Sequence, residues 1–203
     1  MEGVEMKRII YAISLGVLLA TPVFSLAIDT TPMIRVTNEH NGQYDESLDT
    51  FTETKFFGPY QFRVLKDAIE TKGETKDIDG RVFRTSDGVF MHVKARSIDG
   101  NSMSLDNEIK NLVKERTIPE PTVKMVLPIK DSVIEVNNDG VRSLLAEFMY
   151  GWPLKNRTDM VLVTDYEGTR YYYKLQFYRD RLPNSVRIEQ LREMIMDAQF
   201  SFK

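Results

Sequence analysis

The sequence predicts an α+β fold, in which a central, mainly antiparallel β-sheet is packed by helices as an α/β/α-type sandwich. Three observations predict it. Alternating apolar and polar runs dominate the chain from Val89 onward, the period of two expected of half-buried strands. Two segments, Leu105–Val113 and Ile188–Ala198, instead carry apolar residues at helical spacing. The strand-like runs are joined by short turns such as Asp139-Gly140 and Glu167-Gly168, which suit local antiparallel pairing and leave no room for the crossovers that parallel pairs need.

Taken in order, the chain begins with a leader rather than a structural element. Lys7 and Arg8 precede an uncharged run, Ile9 to Ala20, and Ser25 and Ala27 supply the small residues of a cleavage site. This predicts a signal peptide over residues 1–27, with cutting after Ser25 the close alternative. The apolar run is shorter than the roughly 17–25 residues a membrane-spanning helix needs. The mature chain is therefore expected in the periplasm or the medium, with no transmembrane span.

Residues 28–58 read as an N-terminal extension, partly irregular, with an acidic polar stretch over 38–54 and a turn at Asn41-Gly42. Residues 59–203 read as a single α+β domain. Its start is ambiguous: Phe62 and Val64 alternate as a strand, while Phe62, Leu65 and Ile69 fit a short helix equally well. Val82 and Phe83 open a strand that turns at Asp87-Gly88. In the next one, Val89, Met91, Val93 and Ala95 face one way and Phe90, His92, Lys94 and Arg96 the other.

Ser104 or Ser102 can cap the first helix, whose stripe is Leu105, Ile109, Leu112 and Val113; Pro119 and Pro121 stop it. Val123–Ile129 and Val133–Val136 then alternate about an expected turn at Lys130-Asp131. The strand over Val141–Tyr150 follows, with Leu144, Ala146, Phe148 and Tyr150 on one face. After the strand over 159–165 comes Arg170–Arg179, the clearest of all, with Tyr171, Tyr173, Leu175 and Phe177 on one side and Tyr172, Lys174, Gln176 and Tyr178 on the other. Asn184 or Ser185 can cap the closing helix, and Phe200 and Phe202 can tuck the tail against the sheet. About six strands and two helices are expected.

The order of elements over 89–203 resembles the superfamily that contains the photosystem-II extrinsic protein PsbP, the small Ran-binding import protein of yeast, and bacterial exported relatives. The resemblance rests on the Val89–Ala95 strand, the Leu105–Val113 helix, the hairpins at Asp139-Gly140 and Glu167-Gly168, and the closing helix with Phe200-Ser201-Phe202. It implies a helix-covered antiparallel sheet and a binding or assembly role. It carries no shared catalytic set.

Composition narrows the chemistry. The 203 residues include no Cys, which excludes disulfides, thiolate catalysis and cysteine-held metals or clusters. A net charge of -3 offers no basic footprint for nucleic acid. Only His40 and His92 could act as imidazole bases or metal ligands, and no G-x-S-x-G elbow or phosphate-binding glycine loop accompanies them. Asp77-Ile78-Asp79-Gly80 starts like a calcium loop but has Arg81 where the pattern breaks. Glu147 and Asp165 could form an acid pair only if pairing brought them together. No catalytic residue, metal or cofactor is assigned. The expected function is a non-enzymatic exported protein that binds a protein or envelope component or assists its assembly. Two alternatives stand beside it. One is a small-molecule or glycan binder whose residues would be Tyr171, Tyr172, Tyr173, Lys174 and Tyr178, since Tyr combines contact area with a hydroxyl. The other is a hydrolase or metal-dependent enzyme involving His92.

Overall fold

Two β-sheets and two helices make up the protein, as seen in a computed structural model that describes residues 34–40, 46–71, 80–117, 126–150, 156–182 and 186–201. The expected leader, the Asn41-Gly42 turn, Pro119, Pro121, the caps expected at Asn184 or Ser185, and Phe202 lie outside the described residues. The strands are β1 (Ile34–His40), β2 (Thr52–Phe57), β3 (Tyr60–Leu65), β4 (Ile69–Thr71), β5 (Arg81–Arg84), β6 (Phe90–Ser97), β7 (Val126–Asn138), β8 (Val141–Tyr150), β9 (Arg157–Tyr166), β10 (Thr169–Tyr178) and β11 (Gln199–Phe200). Helix α1 spans Leu105–Thr117 and α2 spans Ile188–Met196.

The large sheet runs β1-β7-β8-β9-β10-β6-β5-β4, and the small one β11-β3-β2. Every pairing is antiparallel except β1 with β7, which is parallel. Both tight hairpins have the backbone their sequences require: φ is positive at Asp139 and Gly140 and again at Glu167 and Gly168. That pairing of positive φ values matches the twist of the flanking strands.

The alternation read in the sequence becomes two cores on opposite faces of the large sheet. One face presents Met91, Val93, Leu145, Met160, Leu162, Tyr171, Tyr173, Leu175 and Phe177 to α2 and the small sheet. Leu191, Met194 and Ile195 fill it from α2, and Tyr60, Phe62 and Val64 from β3. Ring contacts weld the sheets together, with Tyr60 stacked on Tyr171 at 5.1 Å and Phe62 against Tyr173 at 5.6 Å between centroids. Phe200 returns onto this core beside Tyr166, at 4.0 Å. The other face presents Leu144, Ala146, Phe148, Val161, Val163 and Tyr172 to Leu105, Ile109 and Val113 of α1. Each fully buried aliphatic side chain contributes about 1.5–3 kcal/mol, so neither helix needs intrinsic stability of its own.

Buried polar groups tie the ends of these elements. Arg63, on β3, donates to Asp197, to Asp49 at 2.6 Å and to the Thr52 hydroxyl at 3.1 Å, linking the small sheet to the end of α2. The Asn138 amide donates to the carbonyl of Met196 (2.7 Å), the last residue of α2 and one that a helix end otherwise leaves unpaired, and to that of Ala198 (2.8 Å) just beyond it.

Several local readings change. The Tyr60–Leu65 segment is a strand rather than a helix, because β2 and β11 pair with it on either side. No turn separates two strands at Lys130-Asp131: β7 is continuous, and its register against β8 shifts between Pro128 and Val133. The closing helix is entered at Arg187, whose N–H donates to the Gln190 side chain at 2.9 Å. The strand count also rises to eleven among the described residues, since short edge strands such as β4 and β11 are too brief to show a period.

Candidate ligand-binding cleft

The site is built where α1 fails to cover the whole of its sheet face. Its helix axis lies over β7, β8 and β9, leaving the adjoining parts of β10 and β6 at the edge. Here a cavity of about 430 Å³ opens, lined by His92, Lys94, Ala95 and Arg96 of β6, Tyr172 and Lys174 of β10, Val161 of β9, and Glu108 and Leu112 of α1. Register explains the grouping. Arg170 stands opposite Arg96, Tyr172 opposite Lys94, and Lys174 opposite His92, so the polar sides of two neighbouring strands meet on one face.

One wall is fixed by a buried ionic network. Glu108 accepts from Arg96 Nη2 at 2.7 Å, from Arg170 Nη1 at 3.2 Å and from the Tyr172 hydroxyl at 2.7 Å. The Arg170 side chain is 1% exposed and also donates to both oxygens of Asp165, at 2.6 and 2.7 Å, and to the Met103 carbonyl. The Asp165 hydrogen bonds hold the Arg170 guanidinium above its ordinary pKa, against the opposing effect of burial. Burial and the hydrogen bond to Glu108 push the Tyr172 phenol upward. Ser104 caps α1 with a hydroxyl 3.4 Å from the Asn107 N–H, and Asp106 pairs with Arg142, which also binds Glu135. The helix that forms this wall is thus held at its first turn.

The five residues expected to bind ligand are divided between the faces of the sheet. Tyr172 and Lys174 line the cavity. Tyr171 and Tyr173 point into the opposite core, 6% and 0% exposed, and the Tyr173 hydroxyl donates to the Arg63 carbonyl at 2.6 Å. Tyr178 lies two pleat repeats beyond Lys174 along β10, under the Arg181 guanidinium at 4.9 Å. The continuous tyrosine wall is therefore absent, because a strand must send successive side chains to opposite faces.

His92 is half-buried on the cleft rim, with its ring 6.2 Å from that of Phe90. His40 sits on β1, five strand positions away in the sheet order, or roughly 24 Å at about 4.8 Å per strand. The two histidines do not share a site. Glu147 and Asp165 also stay apart: Glu147 pairs with Arg192 of α2, and Asp165 with Arg170 on the α1 side. The sequence reading did not assign Arg96, Glu108, Leu112 or Val161 to a site. The alternating His92, Lys94 and Arg96 on one side of a strand was the available signal.

No family model and no curated protein matches the sequence. Among solved structures, the solution structure of cyanobacterial PsbP from Synechocystis sp. PCC 6803 matches with a TM-score of 0.52 and 16% identity, covering 74% of this chain and 93% of that one. The fold is PsbP-like. At that identity the likeness extends to the arrangement of sheet and helices, and the cleft of this PsbP-like chain is read from its own residues. Among the described residues, no helix is long and apolar enough to cross a membrane.

Proposed function

We propose that the protein is a non-enzymatic binding protein, exported by its N-terminal leader to the periplasm or the medium, that engages a protein or envelope component or assists its assembly. The observation that carries this reading is the chemistry of the cleft. It offers cations, an aromatic ring and aliphatic side chains, whereas its one lining carboxylate, Glu108, is engaged by two arginines and a tyrosine. Groups of that kind recognise charge and apolar surface, and a carboxylate so engaged is a poor general base, which leaves His92 on the rim as the group on which an enzymatic reading depends. The PsbP-like fold supports the same role.

The test is in-place cross-linking of the full chain in its native host, followed by fractionation and reciprocal capture of whatever is joined to it. A specific envelope partner recovered in both directions is expected. Retention in the cytosol with the leader intact would refute the export part. Turnover of an ester, peptide or glycan substrate that is lost in His92→Ala would replace this reading with the enzymatic one.

A further inference from the structure

We propose that the row of β6 side chains at the foot of α1 docks an acidic, extended segment of a partner protein. This rests on the partner reading above, and it names the surface and the chemistry that the partner brings to it. The row is Phe90, His92, Lys94 and Arg96, with Arg84 of β5 opposite Phe90 and Tyr172 of β10 opposite Lys94. Its cations rest on aromatic rings. The Arg84 guanidinium stands 5.3 Å over the Phe90 ring, and Lys94 and Arg96 stand 5.2 and 5.4 Å over the Tyr172 ring. Arg84 and Lys94 are exposed, and among the described residues neither forms an ion pair. Arg96 gives one nitrogen to Glu108 and keeps its side chain 50% exposed. Lys174 is committed to the buried Asp159 carboxylate and takes no part.

Cations held in this way are ready for an anion. A ring attracts a cation without neutralising it, so the charge stays available to an incoming carboxylate. The ring also restrains the long side chain beforehand, which lowers the ordering cost of binding. Spacing suits an extended chain. Same-side residues recur about every 7 Å along a strand, and Phe90 to Arg96 spans about 20 Å, the reach of about six residues. Phe90 is half-buried, and Leu112 and Val161 floor the cavity, so apolar side chains of the segment find a seat between its carboxylates. Two features turn away larger polyanions. Helix α1 packs on the same face and rises about 10 Å above the sheet, so a flat bilayer would meet the helix before the row. The whole chain carries a net charge of -3, which repels an extended anionic surface, whereas a short segment meets the local cations first.

The experiment pans a random dodecapeptide library displayed on phage against the full chain, and then measures the enriched peptides on the full chain and on Arg84→Glu and Lys94→Glu. Lys94→Gln, which removes charge alone, keeps the comparison if a reversed charge disturbs the circular dichroism. Enriched peptides are expected to carry two or more Asp or Glu about an apolar residue. They should bind each Glu variant at least about tenfold more weakly, lose affinity in added salt, and move the amide resonances of residues 90–96 and 172. No acidic enrichment, unchanged affinity in the variants, or shifts confined to the α2 face would overturn the proposal. So would phosphatidylglycerol vesicles or oligothymidylate that displace the peptides at lower charge concentration, since the row would then belong to a membrane or a nucleic acid. Self-association of the full chain that Lys94→Glu abolishes would assign the row to a second copy and overturn it as well. The two readings fail separately. A partner recovered by cross-linking without acidic enrichment overturns the row alone, and acidic peptides bound at the row with no partner recovered overturn the assembly role alone.

Discussion

Gly80 and Gly140 both hold a positive φ, +106° and +79°, yet their surroundings differ. A Cβ at Gly80 would stand 2.0 Å from the Val93 carbonyl oxygen, which is sheet backbone and cannot yield cheaply, whereas one at Gly140 meets nothing within 4 Å. Gly80→Ala is expected to cost about 3 kcal/mol in urea unfolding and Gly140→Ala about 1 kcal/mol. The reverse order would show that β5 can leave β6 without penalty. The tyrosines give a second test at this scale. Burial raises the phenols of Tyr60, Tyr172 and Tyr173, so the folded state favours their neutral forms. Their contribution is present below the ordinary phenol value of 10.0 and lost as pH rises beyond it. Ultraviolet titration should show these three ionising only with unfolding, after the exposed tyrosines.

At the scale of elements, α1 is held by charge as much as by its apolar stripe. The hydrogen bond from Arg142 depresses the Asp106 carboxyl below its ordinary value of 3.8. Between the folded and unfolded pKa values the unfolded state binds more protons, so stability rises with pH there. The Asp106 contribution is thus full above about pH 4 and lost as the solution is acidified further. Asp106→Asn should lower the urea midpoint at neutral pH and flatten its fall in acid. An unchanged acid slope would mean that Arg142 is positioned by Glu135 alone. The side chain of Asp106 is 38% exposed, so solvent screening keeps the effect small.

At the scale of the whole molecule, the large sheet carries a core on each face, the small sheet and α2 closing one and α1 the other, and cooperativity follows from that sharing. Leu191 lies in the α2 core and Ile109 in the α1 core, each 0% exposed. Truncating either to Ala should cost about 2–5 kcal/mol. Because β8, β9 and β10 line both cores, each change should shift a single transition seen alike by far- and near-ultraviolet circular dichroism. Separate transitions in the Ile109 variant would show that α1 melts off an intact sheet. Leu191→Asp should abolish folding, since its carboxylate would be desolvated without a partner.

Elements with a local signal were legible along the chain itself. The Tyr171–Phe177 alternation, the Leu105–Val113 and Ile188–Ala198 stripes, and the two turns with Gly140 and Gly168 specify strands, helices and hairpins from a few neighbouring residues each. The resemblance drawn from their order holds for the fold, over 74% of the chain. The folded arrangement, and not the local pattern, set which face each of α1 and α2 covers, that β1 adds in parallel to β7, and that Tyr60–Leu65 is a strand. A period shows that a face is apolar without saying what covers it, and β3 owes its form to partners at Thr52–Phe57 and Gln199–Phe200. The cleft belongs to the same class. Lys94, Tyr172, Lys174 and Glu108 are far apart in the chain, and they meet only because strand register and the seat of α1 place them on one side of a shared sheet.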